Sequence, residues 1–244
     1  MKGDGASGAD GVPALPPARH FGPQRLSNTV WSFATLSFRD PPLLNATASA
    51  AIRKIRHWHV QELSNTAWSY AKRGYLHCPL LNAIAAAAIP LMQEYVARDL
   101  SNTAWSFAAL SDPDGPLLAA ISSEARAKLA FGDPQALSNT SWAFSTLLVT
   151  HRPLMESIAA QALPRMQQFD EQACANTAFA FAALGLWHHR PLLNAIAAKA
   201  IALIAEEEGG LGAGGQPRCQ FRHLLDTLGQ VVAWNAAEER WAAR

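Results

Sequence analysis

The chain has 244 residues, half of them hydrophobic, with a formal net charge of +1. That is enough apolar material to bury a core, and the near-neutral charge counts mildly against a nucleic-acid binder, which usually carries a marked basic excess. Three cysteines, Cys78, Cys174 and Cys219, form no CxxC pair, which excludes a zinc-ribbon type of site and fits a reducing compartment.

Residues 1–22, MKGDGASGADGVPALPPARHFG, are rich in Gly, Pro and Ala and are expected to be disordered. Asp4 and Asp10, together with sparse arginine, make them a poor secretory signal and a poor transit peptide. A motif then begins. LSNTVWSFATL starts at Leu26, and it returns as LSNTAWSYAKR at Leu63, LSNTAWSFAAL at Leu100, LSNTSWAFSTL at Leu137 and CANTAFAFAAL at Cys174. The asparagines Asn28, Asn65, Asn102, Asn139 and Asn176 are each 37 residues apart. A fixed period of this size is the mark of a repeat architecture. A second segment repeats as well, headed by Pro42, Pro79, Pro116, Pro153 and Pro191; the last is displaced by one inserted residue near Trp187.

Both segments read as helices. Asp133 and Asp170 stand at N-cap positions of the first helix, and Pro134 suits its first turn. Leu26, Val30, Phe33 and Ala34 recur at helical spacing, as do Leu80, Ile84, Ala88 and Leu91 in the second helix. Pro90 and Pro164, about ten residues into the second helix, are expected to kink it. Strand signals are absent. The expected fold is all-α: an α-solenoid of five tandem 37-residue helical hairpins over residues 23–205. A Gly-rich linker is expected at 206–218. A degenerate sixth repeat is expected at 219–244, where LLDTLGQVVAW places Asp226 at the asparagine position. The array shows no obvious polar caps, which reads as a piece of a longer array or an incomplete gene model. The most membrane-like run, PLLNAIAAAAIPLM, is too short to span a bilayer and carries Asn82 and Pro90.

Asn is a mediocre helix former, costing roughly half a kcal/mol relative to Ala. On a wheel centred on Asn28, the apolar Leu26, Val30, Phe33 and Ala34 lie opposite, and Ser32, Arg25, Thr35, Gln24 and Trp31 flank it. The repeated amide therefore belongs to a polar face. Two uses are open. In a structural ladder each amide bonds the neighbouring repeat; in a binding groove the row of amides meets an extended peptide or single-stranded RNA. Two positions on this face vary. Three residues before the asparagine stand Arg25, Glu62, Asp99, Ala136 and Ala173, and seven after it stand Thr35, Lys72, Ala109, Thr146 and Ala183. Fixed polar residues interleaved with variable ones are how modular arrays read successive units of a polymer, and solvated drift is the plainer account. Trp31, Trp68, Trp105, Trp142 and Phe179 share one position, suited to packing between repeats or to stacking on bases.

No catalytic constellation is visible, and no cofactor or metal is expected. His57 and His59 point apart on a helix, His188 and His189 read as turn residues, and Glu206, Glu207 and Glu208 as a solvated helix end. GGLGAGG follows no strand and is no phosphate-binding loop.

With these motifs laid out, the chain resembles the organellar RNA-binding helical-repeat proteins. These are the octotricopeptide and heptatricopeptide repeats, the FAST-kinase-like leucine-rich proteins, and the domain of RNA-editing substrate-binding complex subunit 6. The similarity covers residues 24–205, with ANTAFAFAALG (175–185) the closest stretch. A RAP-type C-terminal domain is not recognisable. The resemblance implies a non-catalytic scaffold for single-stranded RNA, alone or with other proteins of an RNA-processing complex, in mitochondria ahead of chloroplasts. The residues that would touch RNA are Asn28, Asn65, Asn102, Asn139 and Asn176, with Arg25, Thr35, Lys72 and Thr146. The rival is an armadillo- or HEAT-like scaffold holding an extended peptide, and a neutral or acidic groove would favour it.

Overall fold

The computed structural model describes residues 21–210, and these form ten α-helices with no strand among them. The first helices of the hairpins are α1 (Pro23–Thr35), α3 (Val60–Lys72), α5 (Ala97–Ala109), α7 (Pro134–Thr146) and α9 (Glu171–Ala183). The second helices are α2 (Pro41–Lys54), α4 (Cys78–Ala88), α6 (Gly115–Lys128), α8 (Arg152–Ala162) and α10 (Arg190–Gly210). The all-α solenoid read from the 37-residue period is the fold found. Helix α10 continues through the first residues of the 206–218 segment; the rest of that segment, the 219–244 unit and residues 1–20 lie outside the described residues. No described helix is long and apolar enough to cross a membrane.

Each helix has a chemical start. Asp133 and Asp170 cap α7 and α9, accepting from the backbone N–H of Ala136 and Ala173 at 2.8 and 2.7 Å. Four of the second helices, α2, α4, α6 and α8, are capped by a position the sequence reading passed over. Asp40, His77, Asp114 and His151, again 37 residues apart, accept from Leu43, Leu80, Leu117 and Leu154 at 2.8 to 3.2 Å. In the two histidines the acceptor is Nδ1, so that nitrogen is unprotonated and Nε2 carries the hydrogen.

The first helices also share one stop. Ser37, Gly74, Ser111, Leu148 and Gly185 all have φ between 55° and 66°. At each, the next residue's N–H reaches back to a carbonyl five residues earlier, as Val149 does to Phe144 at 2.8 Å and Leu186 to Phe181 at 2.8 Å. This is the Schellman arrangement, which satisfies the orphan carbonyls of a helix end.

Pro90 and Pro164 do not kink a continuing α-helix. Helix α4 ends at Ala88 and α8 at Ala162, and each passes into a 3₁₀ segment, Ile89–Glu94 and Leu163–Gln168. The ring removes an i→i−4 donor, and the chain tightens into i→i+3 bonding from there on.

The helices lie in two layers. Successive first helices pack on each other far more closely than successive second helices do. The closely spaced layer of first helices is termed the inner layer. Small polar residues permit that spacing. Ser64, Thr66, Ser69, Ser101, Thr103, Ser106, Ser138 and Thr140 are all buried. The wheel placed Ser32 on the solvated face; Ser32 is indeed exposed at the array's edge, but its counterparts Ser69 and Ser106 are buried between neighbouring helices. Several hydroxyls turn inward to their own helix, as Ser69 and Ser106 donate to the Asn65 and Asn102 carbonyls at 2.6 Å. Between the layers lie Leu63, Tyr70, Leu80, Ile84, Phe107, Phe144 and Phe181, all buried. Burial pushes the Tyr70 phenol up to about 12, and the neutral hydroxyl donates to the Leu44 carbonyl at 2.6 Å.

A cationic clamp ties neighbouring repeats. The Lys128 ammonium donates to the Met92 and Gln93 carbonyls at 3.0 and 2.7 Å. One repeat later, Arg165 donates to the Gly132 carbonyl at 2.6 Å and to that of Ala130. Lys54, at the equivalent position of the first repeat, donates to the Phe21 carbonyl. The charges thus cap 3₁₀ turns and carbonyls next to helix ends that no helix satisfies.

Candidate nucleic-acid interface

The inner layer presents one ribbon per first helix, running through residues four before the asparagine, the asparagine itself, and residues three and seven after it. In α3 these are Gln61, Asn65, Trp68 and Lys72; in α5 they are Arg98, Asn102, Trp105 and Ala109. Helical geometry puts them on one stripe. Asn28 is exposed, and Asn65, Asn102, Asn139 and Asn176 are half-buried. None of the five side-chain amides has a hydrogen-bond partner within the described residues, so the inter-repeat ladder is not formed.

The aromatic position is intermediate between the two uses open to it. Trp31 is 46% exposed at the array's edge, while Trp68, Trp105, Trp142 and Phe179 are half-buried. Trp105 and Trp142 pack against the core, and their ring centroids stand 6.3 Å apart at an interplanar angle of 31°. These rings join neighbouring repeats and leave an edge open beside the amides.

A groove of about 1040 Å³ crosses the N-terminal ends of α3, α5 and α7. It brings Asn65 and Asn102 together with Gln61, Arg98, Lys128 and Phe131. Phe131 is 92% exposed, and neither it nor Gln61, Arg98 and Lys128 was singled out by sequence reasoning. The other repeats place His57, Glu94 and Gln168 where Phe131 stands, so periodicity carried no signal for it. Two cations of the groove, Arg98 and Lys128, face three carboxylates, Glu94, Asp99 and Asp133, a formal charge of −1 with His59 neutral. Arg98 and Asp133 form a loose, exposed pair at 3.9 Å across the repeat boundary, and Lys128 pairs with Glu124 at 3.2 Å.

The variable positions divide. Seven residues after the asparagine, Thr35, Lys72 and Thr146 are exposed, each the last residue of its helix. They lie at the far end of the ribbon, about 10 Å along the axis from their asparagines, and do not line the groove. Arg25 is exposed on the first turn of α1, also outside the groove. The position three before the asparagine is otherwise not a solvated reading position. The Glu62 carboxylate accepts from the His59 N–H at 3.0 Å, and that of Asp99 accepts from Val96 N–H and Ser64 Oγ, both at 3.4 Å. Ala136 and Ala173 are buried beneath the caps Asp133 and Asp170. Where the cap residue is Asp, this position is Ala; where the cap residue is His59 or Val96, it is acidic and reaches back. The variation exchanges one way of capping a helix for another.

Among the described residues, no group of three or more His, Cys, Asp or Glu side chains is arranged to hold a metal ion. His189 packs edge-on to Phe181 at 5.2 Å and beside His188 at 4.3 Å, and burial, with His188 second, lowers its pKa. Burial also pushes the Cys174 thiol up to about 11, the direction of an inert core residue.

No curated protein matches the chain. Residues 14–207 match the model of the family described as RNA-editing substrate-binding complex 6 protein. That stretch begins before α1 and reaches into α10, so it takes in the Asn–Trp ribbon of every described repeat. The chain belongs to the RNA-editing substrate-binding complex 6 protein family.

Proposed function

We propose that this chain is a non-catalytic scaffold that holds single-stranded RNA along its inner layer, within an organellar machinery of RNA processing, stability or editing, in mitochondria ahead of chloroplasts. The observation that carries the reading is the row of five amides without protein partners, each beside an aromatic edge. Amides offer donor and acceptor to ribose, phosphate or base edges, and aromatic edges offer stacking. Arg25, Lys72, Thr35 and Thr146 would add backbone contacts at the ends of the ribbon. Family membership supports the setting, since the family is named for an RNA-editing complex.

The test replaces Asn65, Asn102 and Asn139 together by Ala. The melting point should hold or rise slightly, because Ala is the better helix former by roughly half a kcal/mol per site. Affinity for single-stranded RNA, measured at fixed salt, should fall sharply. A collapsed melting point would show that the amides are structural. The formal charge of −1 in the groove favours a second reading, an extended peptide with basic side chains lying across the ends of α3, α5 and α7. A parent chain that binds no RNA at low salt but does bind such peptides would establish it.

A further inference from the structure

We infer that the RNA is held without regard to its base sequence, the strand being gripped one repeat at a time by a nearly uniform surface. This inference rests on the RNA-binding reading above and concerns its specificity.

A repeat array that reads sequence needs side chains that differ from repeat to repeat at the contact positions, two or three of them per base. Here the positions can be followed one by one. The asparagine is the same in all five repeats, and the aromatic is Trp in four and Phe in one. Four residues before the asparagine, Gln stands in four repeats, with Arg98 the exception. The position three before it varies most, but Arg25 is an exposed point charge suited to phosphate and the other four serve or underlie helix starts. Glu62 and Asp99 are engaged in capping their own helices, and Ala136 and Ala173 are buried. Along the ribbon of amides and aromatics, what remains is the helix-end position occupied by Thr35, Lys72, Ala109, Thr146 and Ala183. Two of these five are alanines with no hydrogen-bonding group, and a lysine is a point charge suited to phosphate. One varying position of this kind cannot distinguish four bases. The invariant groups act on features every nucleotide has: a stacking face for the aromatic edge, and ribose or phosphate oxygens for the amide.

The experiment measures the full chain against oligouridine, oligoadenosine and oligocytidine of equal length at one low salt concentration. Binding should strengthen with strand length until the array is spanned. The three affinities should fall within about ten-fold of each other, since a single good base-edge contact already discriminates by roughly that much. The Glu62→Gln variant, whose amide oxygen can still accept from His59, should leave the ratios among the three unchanged. A larger preference for one homopolymer, or a ratio altered by Glu62→Gln, overturns sequence-tolerant binding while leaving RNA binding intact. A chain that binds none of the three removes the RNA reading itself, and this inference with it.

Discussion

Leu148 has φ 55° and is 74% exposed, so a bulky side chain stands in the left-handed region with little burial in return. Gly74 and Gly185 fill the same place in other repeats, where only glycine is free of the Cβ penalty. Leu148→Gly should therefore raise stability by about 1 kcal/mol, read as a higher urea midpoint with an unchanged slope. A lower midpoint would mean that the leucine packs in a way its exposure conceals. Phe131 poses the complementary case. It is 92% exposed on the groove wall, so Phe131→Ala should leave the melting point where it is and weaken whatever occupies the groove. A stacked base is worth about 1–3 kcal/mol by alanine substitution, or roughly ten-fold or more in affinity. RNA affinity unchanged by Phe131→Ala would place the strand away from the N-terminal ends of α3, α5 and α7.

At the scale of an element, what was legible in the sequence was whatever a local residue type dictates. Asp133, Asp170 and Pro134 announce a helix start, and the Pro-headed second helices follow the same rule. The stop at Ser37, Ser111 and Leu148 was not legible, because none of those residues is the glycine that a left-handed cap predicts. The clamp was hidden for another reason. Its position reads Lys54, Leu91, Lys128 and Arg165 through the repeats, and its partners are backbone carbonyls, which leave no trace in sequence. The capping role of Glu62 and Asp99 was missed because each looks like a surface charge until the N–H three residues earlier, that of His59 or Val96, is located. The clamp can be weighed directly. Arg165→Met keeps the aliphatic stem but leaves the Ala130 carbonyl and that of the buried Gly132 without their donors. The expected loss is about 2–3 kcal/mol, the range for charged hydrogen bonds whose partner stays behind. Arg165→Lys should recover part of it. A loss under about half a kcal/mol, as for an ordinary surface change, would show the clamp to be incidental.

Across the whole molecule, the close inner spacing depends on the small serines and threonines buried among the first helices. Ser101, Thr103 and Ser106 of α5 are buried in an inner layer flanked by α3 and α7, and the amide row can be continuous because those helices lie close. Ser106→Leu tests that dependence. A leucine there must push a neighbour away or leave its preferred rotamer, at a cost of about 1–3 kcal/mol. In a solenoid each repeat contacts only its neighbours, so stability is a sum of repeat and interface terms. A wedge at one interface should therefore weaken the coupling between the blocks on either side, as well as lower the overall stability. The parent should melt in one transition. In Ser106→Leu the calorimetric transition should broaden or divide, with the fluorescence of the Trp105–Trp142 pair changing ahead of the loss of helical signal. RNA affinity should fall as well, because the spacing between Asn102 and its neighbours no longer matches the rest of the row. A variant that melts in one sharp step at a slightly lower temperature, with RNA affinity intact, would mean that neither the spacing nor the continuity of the inner layer depends on small residues at this contact.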